Sequence, residues 1–484
     1  MRSPFRILTL LFISLYPWLG SLPSRAQSQV GIPFEKQQGF ILGFAPPYAR
    51  MSLDLEDSTL SSDGTVEVEL APGAAFTTRK GTPVDRSELR PGLEVSLAGE
   101  KLGKRLVIQS VKVLTEIEDR KVKISGVFEK LRGRVATVGG QLVTLREGVA
   151  VSGNREWKGK SFASFDDMML GSFVEIQGVR GTDGPTVATR AETWPNLYTE
   201  VEDEMLGQLR QGLVLPAGNQ LAGGSVQIGG QEFRLVRDLK VQTYVTRVGL
   251  KLVPAHLRSL PADDPGRITF RFYVIEDPTF NAFAYPDGSV FVHTGLLALI
   301  ENEAQLAAVL GHEIAHVTHE HGRQQYQAGQ RIETGKKAAK IAGRAAEMLG
   351  KVNPFKKEVV IAGREVGLED AIEFGTGLFS NIYSRDMENQ ADRVGLFYMY
   401  DAGYDPREAP RVWGAIVDQI GRQNRVEVAV SKARTFLYSS HPEARARLSN
   451  LNREIALNWY DANFSQATVG KQGYKDAILR LRSK

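Results

Sequence analysis

The sequence predicts a multidomain chain: all-β repeats, as small barrels or a sandwich, followed by a mainly α (α+β) domain. Three observations predict it. Residues 66–114 alternate apolar and polar side chains at period two between Gly and Pro turns. Residues 142–193 repeat the same succession of elements: strand, short turn ending in Gly, alternating strand, further strand. From Gly295 onward the pattern is mostly helical.

The N-terminus comes first. Arg2 and Arg6 precede an apolar run over 7–19, and Ser24-Arg25-Ala26 fits a small-x-small cleavage site. This is the layout of a secretory signal peptide over 1–26, and an export signal is the expectation. The run is shorter than the roughly 20 apolar residues that span a bilayer, and no later segment is long and apolar enough. Residues 27–60, with Pro33, Pro46, Pro47 and weak periodicity, are expected to form an irregular lead-in. The first β repeat is placed at 61–118 and the second at 119–196. The patterning changes around 194–198, so the main boundary falls near 197–203. A catalytic domain is expected over 200–460, with a C-terminal tail over 461–484.

Composition narrows the chemistry. The net charge of +4 falls to +1 once the three arginines of residues 1–26 are removed, too weak a field for nucleic acid. The 484 residues contain no cysteine, which excludes disulfides, thiolate metal sites and cysteine nucleophiles. Metal ligands must therefore come from His, Asp and Glu.

One segment supplies them. The spacing predicts a helix over 301–323, with Leu306, Val309, Leu310, Ile314 and Val317 as its buried stripe. His312 and His316 stand four apart, on one helix face, where two imidazoles can share a zinc ion. Glu313, one step along, is beside the metal and off the ligand row, suited to polarising a water. A third protein ligand is needed. His319 and His321 are close in sequence, but Gly322 and His319 are out of place for the HExxHxxGxxH arrangement. The segment 384–392 offers more: Glu388 and Asp392 are again four apart, so one carboxylate can bind metal and the other can hold a ligating imidazole.

His-Glu-Ile-Ala-His, followed about seventy residues on by Glu-Asn-Gln-Ala-Asp, resembles the HtpX/CAAX-prenyl-protease metallopeptidase family, numbered forty-eight among metallopeptidases. Two more segments agree: 281–297 ahead of the helix, and Ser439-Ser440-His441-Pro442 with Arg447 after it. The resemblance covers about half the chain. It implies a gluzincin-type fold, one zinc ion on His312, His316 and Glu388, and Glu313 as general base. It further implies Asp392 as support for the ligands, His441 near the open coordination position, and Arg447 pairing with a site carboxylate. The implied activity is an exported endopeptidase acting on unfolded or misassembled envelope proteins, periplasmic in a host with two membranes and extracellular in a host with one. Membrane members of the family carry several transmembrane helices, and this chain resembles the soluble branch. Two other readings remain: a proteolytically latent chaperone or scaffold, and an envelope-binding module whose partners meet the β repeats. The strand at 289–292 is expected to bind extended substrate by edge pairing. The stretch 322–381 fits either a lid over the cleft or a helical excursion without a gating role.

Overall fold

The structure is a computed structural model. It describes residues 31–45, 48–53, 63–115, 120–180, 184–195, 213–215, 222–228, 231–264, 267–325, 359–361, 364–366, 383–423, 444–459 and 462–481. The expected signal segment, most of the 322–381 stretch and His441 lie outside the described residues.

Two five-stranded barrels open the chain. The first comprises β1 (Ile32–Ala45), β2 (Tyr48–Leu53), β3 (Thr65–Thr78), β4 (Glu94–Leu102) and β5 (Arg105–Val113). They close in the order β1-β2-β3-β5-β4, with β3 parallel to β5. The second comprises β6 (Arg120–Arg132), β7 (Val135–Val138), β8 (Gln141–Leu145), β9 (Val151–Gly153), β10 (Ser161–Phe162), β11 (Phe173–Arg180) and β12 (Thr186–Trp194). Here β12 pairs parallel with β8, so β6-β7-β8-β12-β11 form a ring, and β9 and β10 extend it. Position by position this is the order of the first barrel. It is the five-stranded Greek-key order of the OB-fold, an architecture that carries no function by itself. The inward alternation seals each barrel: Val95, Leu97, Ile108 and Val111 in the first, Ile124, Val138, Val143 and Ile176 in the second. Each such side chain contributes about 1.5–3 kcal/mol on burial.

The expected irregular lead-in is corrected. Residues 32–45 and 48–53 are strands β1 and β2, which complete the first barrel. The period of β1 is hidden because the strand shifts register between Phe34 and Gln37 and again between Ile41 and Gly43, and Lys36 adopts φ 60°; β2 is only six residues long. Each bulge moves the subsequent side chains to the other face.

A three-stranded sheet, β13 (Leu213–Val214), β14 (Ser225–Ile228) and β15 (Gln231–Arg234), leads into the helical half. Next come α1 (Leu239–Leu252), α2 (Ala255–Arg258), β16 (Arg271–Ile275), β17 (Ala282–Ala284), β18 (Ser289–His293), α3 (Thr294–Leu299) and α4 (Glu303–Thr318). After the hairpin of β19 (Val359–Ile361) and β20 (Arg364–Val366) come α5 (Arg385–Asp401), α6 (Ala409–Gln423), α7 (Ala444–Trp459) and α8 (Lys471–Ile478). Among the described residues no helix is long and apolar enough to cross a membrane.

Three further expectations are corrected. The strand at 289–293 is central, with β16 parallel on one side and β17 antiparallel on the other. The outer side of β16 is taken by Val236, whose N–H donates to the Val274 carbonyl (2.9 Å), and by Gln242, which bonds Phe272 O (2.6 Å) and Val274 N (3.0 Å). The strand at the sheet's other margin is therefore 282–284. The expected tail over 461–484 contains α8, whose buried Tyr474 and Ile478 join the main core, and the Tyr474 hydroxyl donates to Leu297 O at 2.6 Å. Finally, the helix expected over 301–323 ends at Thr318.

Both barrels pack on the helical half. The first sits on α7: Asn452 Nδ2 donates to Asp63 O (2.7 Å) and Arg453 Nε to Gly92 O (3.2 Å). Gly92 is at φ 85°, and a Cβ there would stand 2.4 Å from Leu457. The second sits on α5, through Lys130 Nζ to Asp401 Oδ1 (2.5 Å) and through Gln390.

Candidate metal centre

Two helices build the site. The N-terminus of α4 is capped by Asn302, whose side chain accepts from Gln305 N at 2.9 Å, and that of α5 by Ser384. Every residue of α4 except Ala308 is buried, so its hydrophobic stripe is embedded on all sides. The helices cross at a pair of glycines. A Cβ on Gly395 would lie 3.0 Å from His312 N, and one on Gly311 would lie 3.2 Å from Gly395 O. This approach brings the histidines of α4 to the carboxylates of α5.

His312 Nε2 lies 3.0 Å from His316 Nε2 and 3.4 Å from Glu388 Oε2, and His316 Nε2 lies 3.6 Å from Glu388 Oε1. One donor atom from each residue falls within 4.8 Å of the other two, and all three side chains are buried. A tetrahedral ion with bonds of about 2.1 Å separates its donors by about 3.4 Å, so the three residues fit one metal ion.

Around these three, His312 Nδ1 faces Asp392 Oδ1 at 3.1 Å. Arg447, on α7, ties the two carboxylates together. Its Nε donates to Asp392 Oδ2 (2.9 Å), Nη2 pairs with Asp392 Oδ1, and Nη1 meets Glu388 Oε2 at 2.9 Å. The guanidinium rests 3.7 Å from the centre of the Trp413 ring. Burial pushes the Asp392 carboxyl up, but the Arg447 charge and the His312 hydrogen bond prevail and hold it below the ordinary carboxylate value. Burial and the Arg447 charge lower His312, yet hydrogen bonds to Asp392 and Glu388 outweigh them and raise it to about 9. Glu313 is buried off the ligand row. With His312 and Asp392 it borders a small cavity closed by Val412 and Trp413.

The sequence reading missed Tyr383. It stacks on the His316 ring, with centroids 3.9 Å apart and planes inclined by 19°. Burial, then the Glu313 and Glu388 charges, raise its phenol, so the hydroxyl stays protonated. A single tyrosine ahead of a cap carries no sequence signal. His316 and Tyr383 open on a cleft walled by Tyr285 and Pro286 beyond β17, and by Trp157 and Met169 of the second barrel. Of the two nearby histidines, His319 turns toward the second barrel, its Nε2 3.7 Å from Glu129 Oε1, outside the donor cluster. His321 packs against His316 and is fully buried, which lowers it to about 4.

Residues 240–455 match the model described as peptidase family M48. The chain carries a peptidase family M48 domain. The chain is 26% identical over 249 residues to the beta-barrel assembly-enhancing protease of Escherichia coli, covering 51% of this chain and 45% of that protein. It is 30% identical over 184 residues to the mitochondrial metalloendopeptidase OMA1 of Schizosaccharomyces pombe (38% of this chain, 46% of that one). It is 31% identical over 207 residues to that of Arabidopsis thaliana (43% and 36%). The chain thus spans less than half the length of these relatives. All the described donors and their supports, from His312 to Arg447, fall inside the M48 domain.

Proposed function

We propose that this chain is an exported zinc metalloendopeptidase that hydrolyses peptide bonds in unfolded or misassembled envelope proteins. The observation that carries it is the convergence of His312 Nε2, His316 Nε2 and a Glu388 carboxylate oxygen at spacings that suit one ion. The M48 match and relatives named as proteases support the reaction class, and the layout of residues 1–26 supports export.

The three donors hold zinc. When bound, zinc supplies Lewis-acid polarisation of the scissile carbonyl and makes water acidic near neutral pH. Glu313 takes the proton from the attacking water and returns it to the leaving amine. Asp392 fixes the His312 ring, and Arg447 keeps Asp392 ionised and the Glu388 carboxylate in place. The strand 282–284, at the margin of its sheet among the described residues, pairs with the backbone of an extended substrate at the mouth of the cleft. His441 serves the developing oxyanion, the role the family resemblance gives it.

His316→Ala tests the assignment. The wild type is expected to bind one zinc per chain and degrade unfolded casein, whereas the variant is expected to lose both. A His316→Ala protein that kept zinc and cleavage would remove the basis of the proposal.

A further inference from the structure

We propose that the second β-barrel sets the tautomer of a zinc ligand, acting through Gln390 and His321 on His316. The relay starts at a backbone carbonyl. Ser125 O, on β6, has only lone pairs, so the side-chain atom 2.8 Å from it must be the amide nitrogen of Gln390. That fixes the amide orientation and turns Gln390 Oε1 toward His321 Nε2, 2.9 Å away. Oε1 can only accept, so His321 Nε2 carries the hydrogen. His321 is fully buried, which disfavours a second ring proton, and its Nδ1 is left with a lone pair. His316 Nδ1 is 2.9 Å from that lone pair. His316 must therefore donate from Nδ1, and its Nε2 presents the lone pair that faces His312 Nε2 and Glu388. With His321 neutral, each link of the relay admits one polarity.

The surrounding structure is shaped for it. Gly126 and Gly139 of the barrel leave room for the Gln390 amide: a Cβ on either would stand 2.8 or 2.6 Å from its nitrogen. At the other end, α4 stops at Thr318, and Glu320 takes φ 54°, a left-handed conformation unfavourable for a residue with a Cβ. That turn carries His321 back against the helix it has just left, alongside His316. The barrel lies outside residues 240–455, so this chain supplies to its M48 domain a support from a domain the family match does not cover. His321 and Gln390 are positioning residues. They hold a metal ligand in its binding tautomer and touch neither metal nor substrate.

The proposal rests on the reading of His316 as a zinc ligand, and its test separates the two. With only seven histidines in the chain, long-range nitrogen–proton spectra of histidine-labelled apo protein can resolve the His316 ring. The expected result is the Nδ1–H form in the wild type. His321→Asn places an amide oxygen near the position of Nδ1 and should keep that form, with zinc affinity within about threefold of wild type. His321→Leu and Gln390→Leu should release the Nε2–H form and weaken zinc binding roughly 10–100-fold, measured by chelator competition. A simple packing role for His321 would instead favour Leu over Asn. An Nε2–H ring in the wild type, or wild-type zinc affinity in both Leu variants, would overturn the relay and leave the peptidase reading standing. A wild type that binds no zinc would sink the ligand assignment itself. Should a Leu variant fail to fold, the wild-type spectrum still decides.

Discussion

The joint between the second barrel and the M48 domain is expected to respond to pH through Glu129. Glu129 sits on β6, 8% exposed, facing α5. Burial raises its carboxyl to about 8, with the Asp401 charge adding to the effect, against the hydrogen bonds from Gly140 N–H (3.0 Å) and the Tyr398 hydroxyl and the Arg393 charge. Its folded value is above its unfolded one, so the stability it contributes is complete below pH 4.5 and is lost as pH rises through about 8. At about 1.4 kcal/mol per pH unit over that interval, the ceiling is about 5 kcal/mol. Glu129→Gln keeps the shape and removes the titration. Melting both proteins between pH 5 and pH 9 should show the wild type losing roughly 5–15 °C more than the variant, since 1 kcal/mol moves a domain of this size by about 2–4 °C. Parallel melting curves across the whole range would mean that Glu129 does not titrate at this joint.

Two further outcomes arise from the packing of the site. Gly395→Ala should push α5 from α4, because its Cβ would lie 3.0 Å from His312 N; a loss of about 1–3 kcal/mol by urea unfolding is expected, together with weaker zinc binding. Unchanged zinc affinity would show that the glycine crossing does not set the donor spacing. Arg447→Ala strands two buried carboxylates and should cost about 3–5 kcal/mol in the same measurement. A loss below about 1 kcal/mol would mean that the guanidinium acts like a surface partner.

What the sequence could tell was what helix and strand periods encode locally. His312 with His316 and Glu388 with Asp392 are four-residue pairs, and each pair does share a helix face. The twice-repeated strand order foreshadowed two units of one topology; choosing barrel over sandwich required the long-range pairings β3 with β5 and β8 with β12. Strand β1 is illegible because register shifts break its alternation, and β2 is too short to show a period. The end of α4 was equally hidden, since Glu320, which takes the left-handed turn that brings His321 against His316, is neither Gly nor Asn. Tyr383, Glu129 and the His321–Gln390 pair gain meaning only from partners far away in sequence, such as Ser125 from Gln390. No period connects such residues.

Peptide-bond cleavage by one zinc ion with Glu313 is tested by comparing wild type with Glu313→Gln, both loaded with zinc, on unfolded casein, with bound metal measured in each. Equal zinc and cleavage by the wild type alone is the expected result. Equal cleavage by both would contradict Glu313 as the base, and zinc in both with cleavage by neither would favour a latent protein that holds unfolded chains without cutting them.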